Sequence, residues 1–227
     1  MIMKKIFISL MLTLFVSFCA TGQDACSVYY PLKKGTTFEI TNYNKKGKKE
    51  GVVKYTISNV EGNTATIEAV ILDEKDKEVT TTSYNIMCEG NSISIDFKSL
   101  ISPEMLQQYK DMDIDVSGTN IELPNDLDIG KKLKDANMIM TINMGGMNMK
   151  ITMDITNRTV DAKENVTTPA GSFNCYALSY DSEVKMGLKT SFTIKEWIAE
   201  GVGVVKTESY NKKGKLMGYS ELTSFSK

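Results

Sequence analysis

The chain has 227 residues, with 27 basic against 28 acidic side chains and no histidine. Near-neutral charge and a single arginine, Arg158, leave no basic excess for tracking nucleic-acid phosphates, so no nucleic-acid partner is expected. Without histidine, the commonest general base and the commonest metal ligand are both missing, and so is every Ser-His-Asp or Cys-His arrangement. No spacing pairs two carboxylates for glycoside chemistry. The expectation is a non-enzymatic protein with no cofactor and no assigned metal.

Residues 1–22 read as a targeting segment. Lys4 and Lys5 precede an apolar run from Ile6 to Phe18, and Ala20-Thr21-Gly22 places small residues where a signal peptidase cuts, before Gln23. The competing reading is a lipid anchor on Cys19, but bulky Phe18 stands where lipoprotein processing wants a small residue. No later apolar run approaches the roughly 20 residues of a membrane span, so the exported chain has no expected transmembrane segment. It is placed in the periplasm or outside the cell. Removing the segment deletes two lysines and leaves 205 residues with a net charge of −3. Cys26, Cys88 and Cys175 remain, which implies one bridge and one free thiol in an oxidising compartment. All three pairings are open. Cys26–Cys88 is preferred, because a bridge there ties down the new terminus while Cys175 sits in a predicted strand.

Strand signals then dominate. Thr36 to Tyr43, Val52 to Val60, Thr64 to Leu72, Val79 to Cys88 and Ser92 to Phe97 alternate or run β-branched, each closed by turn residues. Asn44-Lys-Lys-Gly47 is a turn with Asn first and Gly at the left-handed position, and Asn211-Lys-Lys-Gly214 repeats it; Asp73-Glu-Lys-Asp76 is a looser copy. Ser102, Pro103 and Glu104 signal one short helix ending near Lys110. Strands resume at Met112 to Val116, Thr119 to Leu123, a methionine hairpin, Arg158 to Thr167, Phe173 to Asp181, Lys189 to Trp197, Val202 to Tyr210 and Leu216 to Phe225. No linker interrupts them. Residues 23–227 therefore read as one all-β, mainly antiparallel domain.

The hairpin is the most distinctive segment. Gly145-Gly146 flanked by alternating apolar residues favours a two-residue turn that pairs Met144 with Met147, Ile142 with Met149, Met140 with Ile151 and Met138 with Met153. Those residues then share one face, opposite Thr141, Asn143, Asn148, Lys150, Thr152 and Asp154. Three readings fit. The face lines a site for a lipid or other apolar ligand or partner, it packs into the core of a structural or cell-envelope assembly module, or its thioethers bind Cu(I).

Two further patterns have bland readings. Asp111, Asp113 and Asp115 alternate like a calcium loop, but Val116 replaces the required glycine, so an edge strand with an acidic face is expected. The lysine runs 45–49 and 212–215 read as solvated hairpin tips, since a membrane-surface role needs a larger one-sided cluster. Trp197, Tyr176 and Tyr180 read as core or cavity wall.

Tyr30-Pro-Leu-Lys-Lys-Gly-Thr-Thr-Phe38, Thr168-Pro-Ala-Gly-Ser-Phe-Asn-Cys-Tyr176 and Trp197-Ile-Ala-Glu-Gly-Val-Gly-Val-Val-Lys206 together resemble the TapB-like family of exported Gram-negative proteins, a domain of unknown function. The resemblance runs from about Cys26 to Phe225. It implies a curved sheet or half-open barrel like those of periplasmic lipoprotein carriers. A fold analogy of this kind implies no reaction.

Overall fold

The structure is a computed structural model that describes residues 27–97 and 112–227. Its strands are β1 (Thr37–Asn44), β2 (Lys49–Glu61), β3 (Thr64–Asp73), β4 (Glu78–Glu89), β5 (Ser92–Ile95), β6 (Asp113–Thr119) and β7 (Ile121–Pro124). β8 (Ala136–Met144), β9 (Met147–Thr168), β10 (Gly171–Met186), β11 (Leu188–Ala199), β12 (Gly203–Asn211) and β13 (Leu216–Ser226) complete them. The targeting segment 1–22, Cys26 and the expected helix at 102–110 lie outside the described residues.

All thirteen strands form one antiparallel sheet in the order β6-β8-β9-β10-β11-β12-β13-β1-β2-β3-β4-β5-β7. Its two edges, β6 and β7, follow one another in the chain, separated by Asn120 alone. One run of chain thus pairs first with β8 and then with β5, rolling the sheet into a nearly closed barrel.

Turn chemistry fixes the hairpins. The Asn44 carboxamide oxygen accepts from the backbone N–H of Lys46 and Lys48, and Asn211 does the same for Lys213 and Lys215. Asp73 repeats the device with Lys75 and Lys77. There Asp76, at φ 62°, holds the left-handed position that Gly47 and Gly214 occupy elsewhere.

One expectation is corrected. Met147–Ile155 and Arg158–Thr167 are not separate strands but a single strand of 22 residues. Instead of a turn, Asn157 adopts φ 57° and donates from Nδ2 to Asp181 Oδ2 at 2.9 Å. The register with β10 slips there, between Ser179 and Asp181. Such a bulge reverses the in–out alternation. Ile151 and Ile155 are buried before it, and Arg158 and Val160 after it.

The main core lies at the end of the barrel opposite those lysine-bearing turns. Ile57, Ile67, Ile86, Ile93, Leu123, Val160 and Leu178 are all at most 2% exposed and close around Tyr29. Tyr29 meets Tyr176 edge-on, ring centroids 6.1 Å apart. Residues of the opposite parity on β10 and β11, namely Cys175, Ala177, Trp197 and Ala199, form a second, smaller core with Val205. The sheet curls over it far enough for the Ala170 N–H to reach the Leu222 carbonyl at 3.3 Å.

Candidate functional site

The methionine hairpin forms with the expected register: Met144 opposite Met147, Ile142 opposite Met149, Met140 opposite Ile151 and Met138 opposite Met153. Its apolar face points into the barrel. Met138, Met140, Ile142 and Ile151 are at most 1% exposed. Met149 and Met153 are half-buried beside them, with Ile114 and Val116 from β6, Val184 from β10, and Phe97. Met147, at the tip, is 71% exposed. The face is thus sealed along its centre and open toward the turn.

Between this face and the aliphatic floor lies a layer the sequence did not announce. Tyr30, Tyr55, Tyr84 and Tyr180 gather there with Glu196 and Arg158, electrostatically coupled to one another. The Tyr180 phenol donates to Glu196 Oε2 at 3.3 Å. Arg158 donates from a guanidinium N–H to the Lys134 carbonyl at 2.7 Å. Burial pushes the Tyr55 phenol up to about 12 and the Tyr30, Tyr84 and Tyr180 phenols well above their usual value. Burial also raises the Glu196 carboxyl, although the Arg158 charge and the Tyr180 hydrogen bond pull it down. The same burial lowers Arg158 against the charge of Glu196.

On four strands exposure rises one layer above the floor, whereas Ile67, Ala69 and Ile71 of β3 stay buried throughout. On β4, Ile86 of the floor is fully buried, yet Tyr84, Thr82 and Thr80 above it on the same face are all half-buried. On β2, Ile57 is 1% exposed, and Tyr55 above it is half-buried. Glu196 and Tyr180 follow the same rule above Ile198 and Leu178. One layer above the floor Tyr55, Tyr84, Tyr180 and Glu196 are half-buried beside buried Arg158, and higher on the same face Val53 of β2 and Ile71 of β3 are buried again.

Little in the sequence pointed to this layer. Tyr180 stood out as a wall residue, but Arg158 enters the barrel only because of the bulge at Asn157. Gly203, at φ 92°, lets the Tyr30 ring approach so closely that a β-carbon there would lie 3.3 Å from it.

Asp113 and Asp115 lie on an edge strand with their side chains exposed, while Ile114 and Val116 turn inward. No metal-ligating cluster of acids or cysteines occurs among the described residues. Cys175 is a free, buried thiol. No disulfide joins two described residues, and the preferred Cys26–Cys88 pairing involves Cys26, which lies outside them. A separate recess of about 300 Å³, lined by Lys163, Phe173, Asn174, Glu200 and Val202 among others, includes none of the methionines.

The DUF3108-like family model matches residues 33–222, a stretch running from just before β1 into β13. The chain belongs to the DUF3108-like family. Two solved structures share its fold. A Bacteroides fragilis protein assigned as exported, with a YmcC-like fold, superposes with a TM-score of 0.75 at 20% identity, covering 89% of this chain and 100% of its own. A Parabacteroides distasonis protein assigned as a lipoprotein gives 0.74 at 22% identity, covering 88% and 99%. No curated protein matches this DUF3108-like chain. At such identities the likeness establishes the all-β barrel and nothing about chemistry.

Proposed function

We propose that this DUF3108-like protein is a non-enzymatic domain of the bacterial cell envelope that binds a lipid or other apolar ligand inside its barrel. The observation supporting this reading is that Tyr55, Tyr84, Tyr180 and Glu196 are only half-buried inside the barrel, together with the open part of the methionine face. Half-buried Met149 and Met153 offer an apolar wall that can re-pack around ligands of different shape. The tyrosines, Glu196 and Arg158 offer polar atoms for a headgroup or ester. The segment 1–22, the resemblance to TapB-like exported proteins and the neighbours' assignment as exported or lipoprotein all support an envelope location.

A second reading is favoured by the sealed centre of the methionine face: the protein is an assembly module whose barrel is filled by its own side chains. Native mass spectrometry of protein purified from the envelope, with lipid extraction, decides between them. The binding reading expects a co-purifying lipid that is lost in a folded Met153→Lys variant. A clean apo mass, together with no uptake of N-phenyl-1-naphthylamine by the wild type, would leave only the assembly module.

A further inference from the structure

The strand order brings five hairpin turns to one end of the barrel: Asn44–Lys48, Asp73–Lys77, Met144–Met147, Met186–Leu188 and Asn211–Lys215. Because β13 pairs with β1, the two lysine runs become neighbours, joined by Tyr43 stacked on Tyr219 with centroids 4.9 Å apart. Lys45, Lys46, Lys212, Lys213 and Lys215 are exposed there, and none of them enters an ion pair among the described residues. Lys48 and Lys49 are bridged to Glu74 and Asp76 of the next turn. The β10–β11 turn, beside the second run, carries Lys185 and Lys189, the latter paired with Glu183, around Met186 and Leu188.

The apolar side chains at this end are unusually bare. Leu188 is 86% exposed, Met147 71%, Met186 49% and Met217 43%. Leu188 and Met147 stand at or beside hairpin turns, at the end that also carries the lysines without an ion pair among the described residues. The hairpin turns of the opposite end carry Glu61, Glu89 and Glu200, and the exposed apolar residues on that side are Val28, Val60 and Ile129, at 39%, 38% and 66%.

From this polarity we infer that the lysine-bearing hairpin end docks onto an anionic lipid bilayer, the tips of Leu188, Met186 and Met147 entering the interface while the lysines meet lipid phosphates. Charge complementarity selects the occupant. Each lysine near an anionic surface strengthens attachment about fivefold, and an apolar tip adds burial that a purely electrostatic partner does not reward. This inference stands apart from ligand binding within the barrel. The tyrosine layer and the open part of the methionine face lie on the same side of the aliphatic floor as this end.

Co-sedimentation of the purified exported chain with vesicles tests it. Binding is expected to phosphatidylglycerol–phosphatidylcholine vesicles and not to phosphatidylcholine alone, and it should fall at least about tenfold between low salt and 0.5 M salt. The triple variant Lys212→Glu/Lys213→Glu/Lys215→Glu and the single variant Leu188→Ser should each weaken it while leaving the melting temperature unchanged. Lys33→Glu/Lys34→Glu at the far end should retain it. Equal binding to both vesicle types, no binding, or loss only in the Lys33/Lys34 variant overturns the proposal. So does capture of an acidic protein with vesicle binding absent. Lipid co-purification is unaffected by these surface variants, so failure here is distinguishable from failure of the ligand-binding reading.

Discussion

Tyr180 on β10 donates its phenol to Glu196 on β11, inside a barrel where Arg158 of β9 supplies the facing positive charge. Burial outweighs both partners, so the folded protein holds the Glu196 proton more tightly than the unfolded chain does. Stability from this group is therefore complete below the ordinary carboxylate range and declines as pH rises through the raised folded value. Urea melts of wild type and Glu196→Gln between pH 4 and pH 7 should show wild type losing stability relative to the variant as pH increases. A parallel pair of curves would remove Glu196 from the titration.

The methionine face should respond according to depth. Met140→Leu conserves volume and should cost under about 1.5 kcal/mol. Met140→Lys places a charge where the side chain is 1% exposed, and should unfold or aggregate the protein. Met147→Lys, at a site 71% exposed, should melt within about 0.5 kcal/mol of wild type. Equal tolerance at 140 and 147 would contradict the burial gradient.

Gly118 on edge strand β6 has φ 146°, and a β-carbon there would lie 2.1 Å from the Asn137 carbonyl oxygen. Gly118→Ala should cost roughly 1–3 kcal/mol and detach β6 from β8, visible as faster amide exchange at Ile139 and Thr141. Exchange unchanged from wild type would show that the edge accommodates the methyl group.

Cysteine chemistry gives an independent check. The Cys175 thiol is buried and pushed up to about 11, so alkylation by iodoacetamide should require prior unfolding. Peptide mapping without reduction should recover Cys88 joined to Cys26, with reduction costing on the order of 2–4 kcal/mol. A Cys88–Cys175 peptide would refute both the pairing and the free thiol.

Local rules determined much of this protein. Strand positions, the Asn-Lys-Lys-Gly turns, the left-handed Asp76 and the register of the methionine hairpin all follow from alternation and turn chemistry, interactions between residues close in sequence. What the tertiary structure decided lies elsewhere. The bulge at Asn157 merges two expected strands and turns Arg158 inward, because pairing with β10 persists across a residue that looked like a boundary. The tyrosine–Glu196–Arg158 layer comes from strands far apart in the chain, and no periodicity within any one of them marks it. The lysine runs near residues 45 and 212 read singly as solvated tips. Only the pairing of β13 with β1 makes them neighbours, because closing the sheet sets distances between charges that sequence separation cannot reveal.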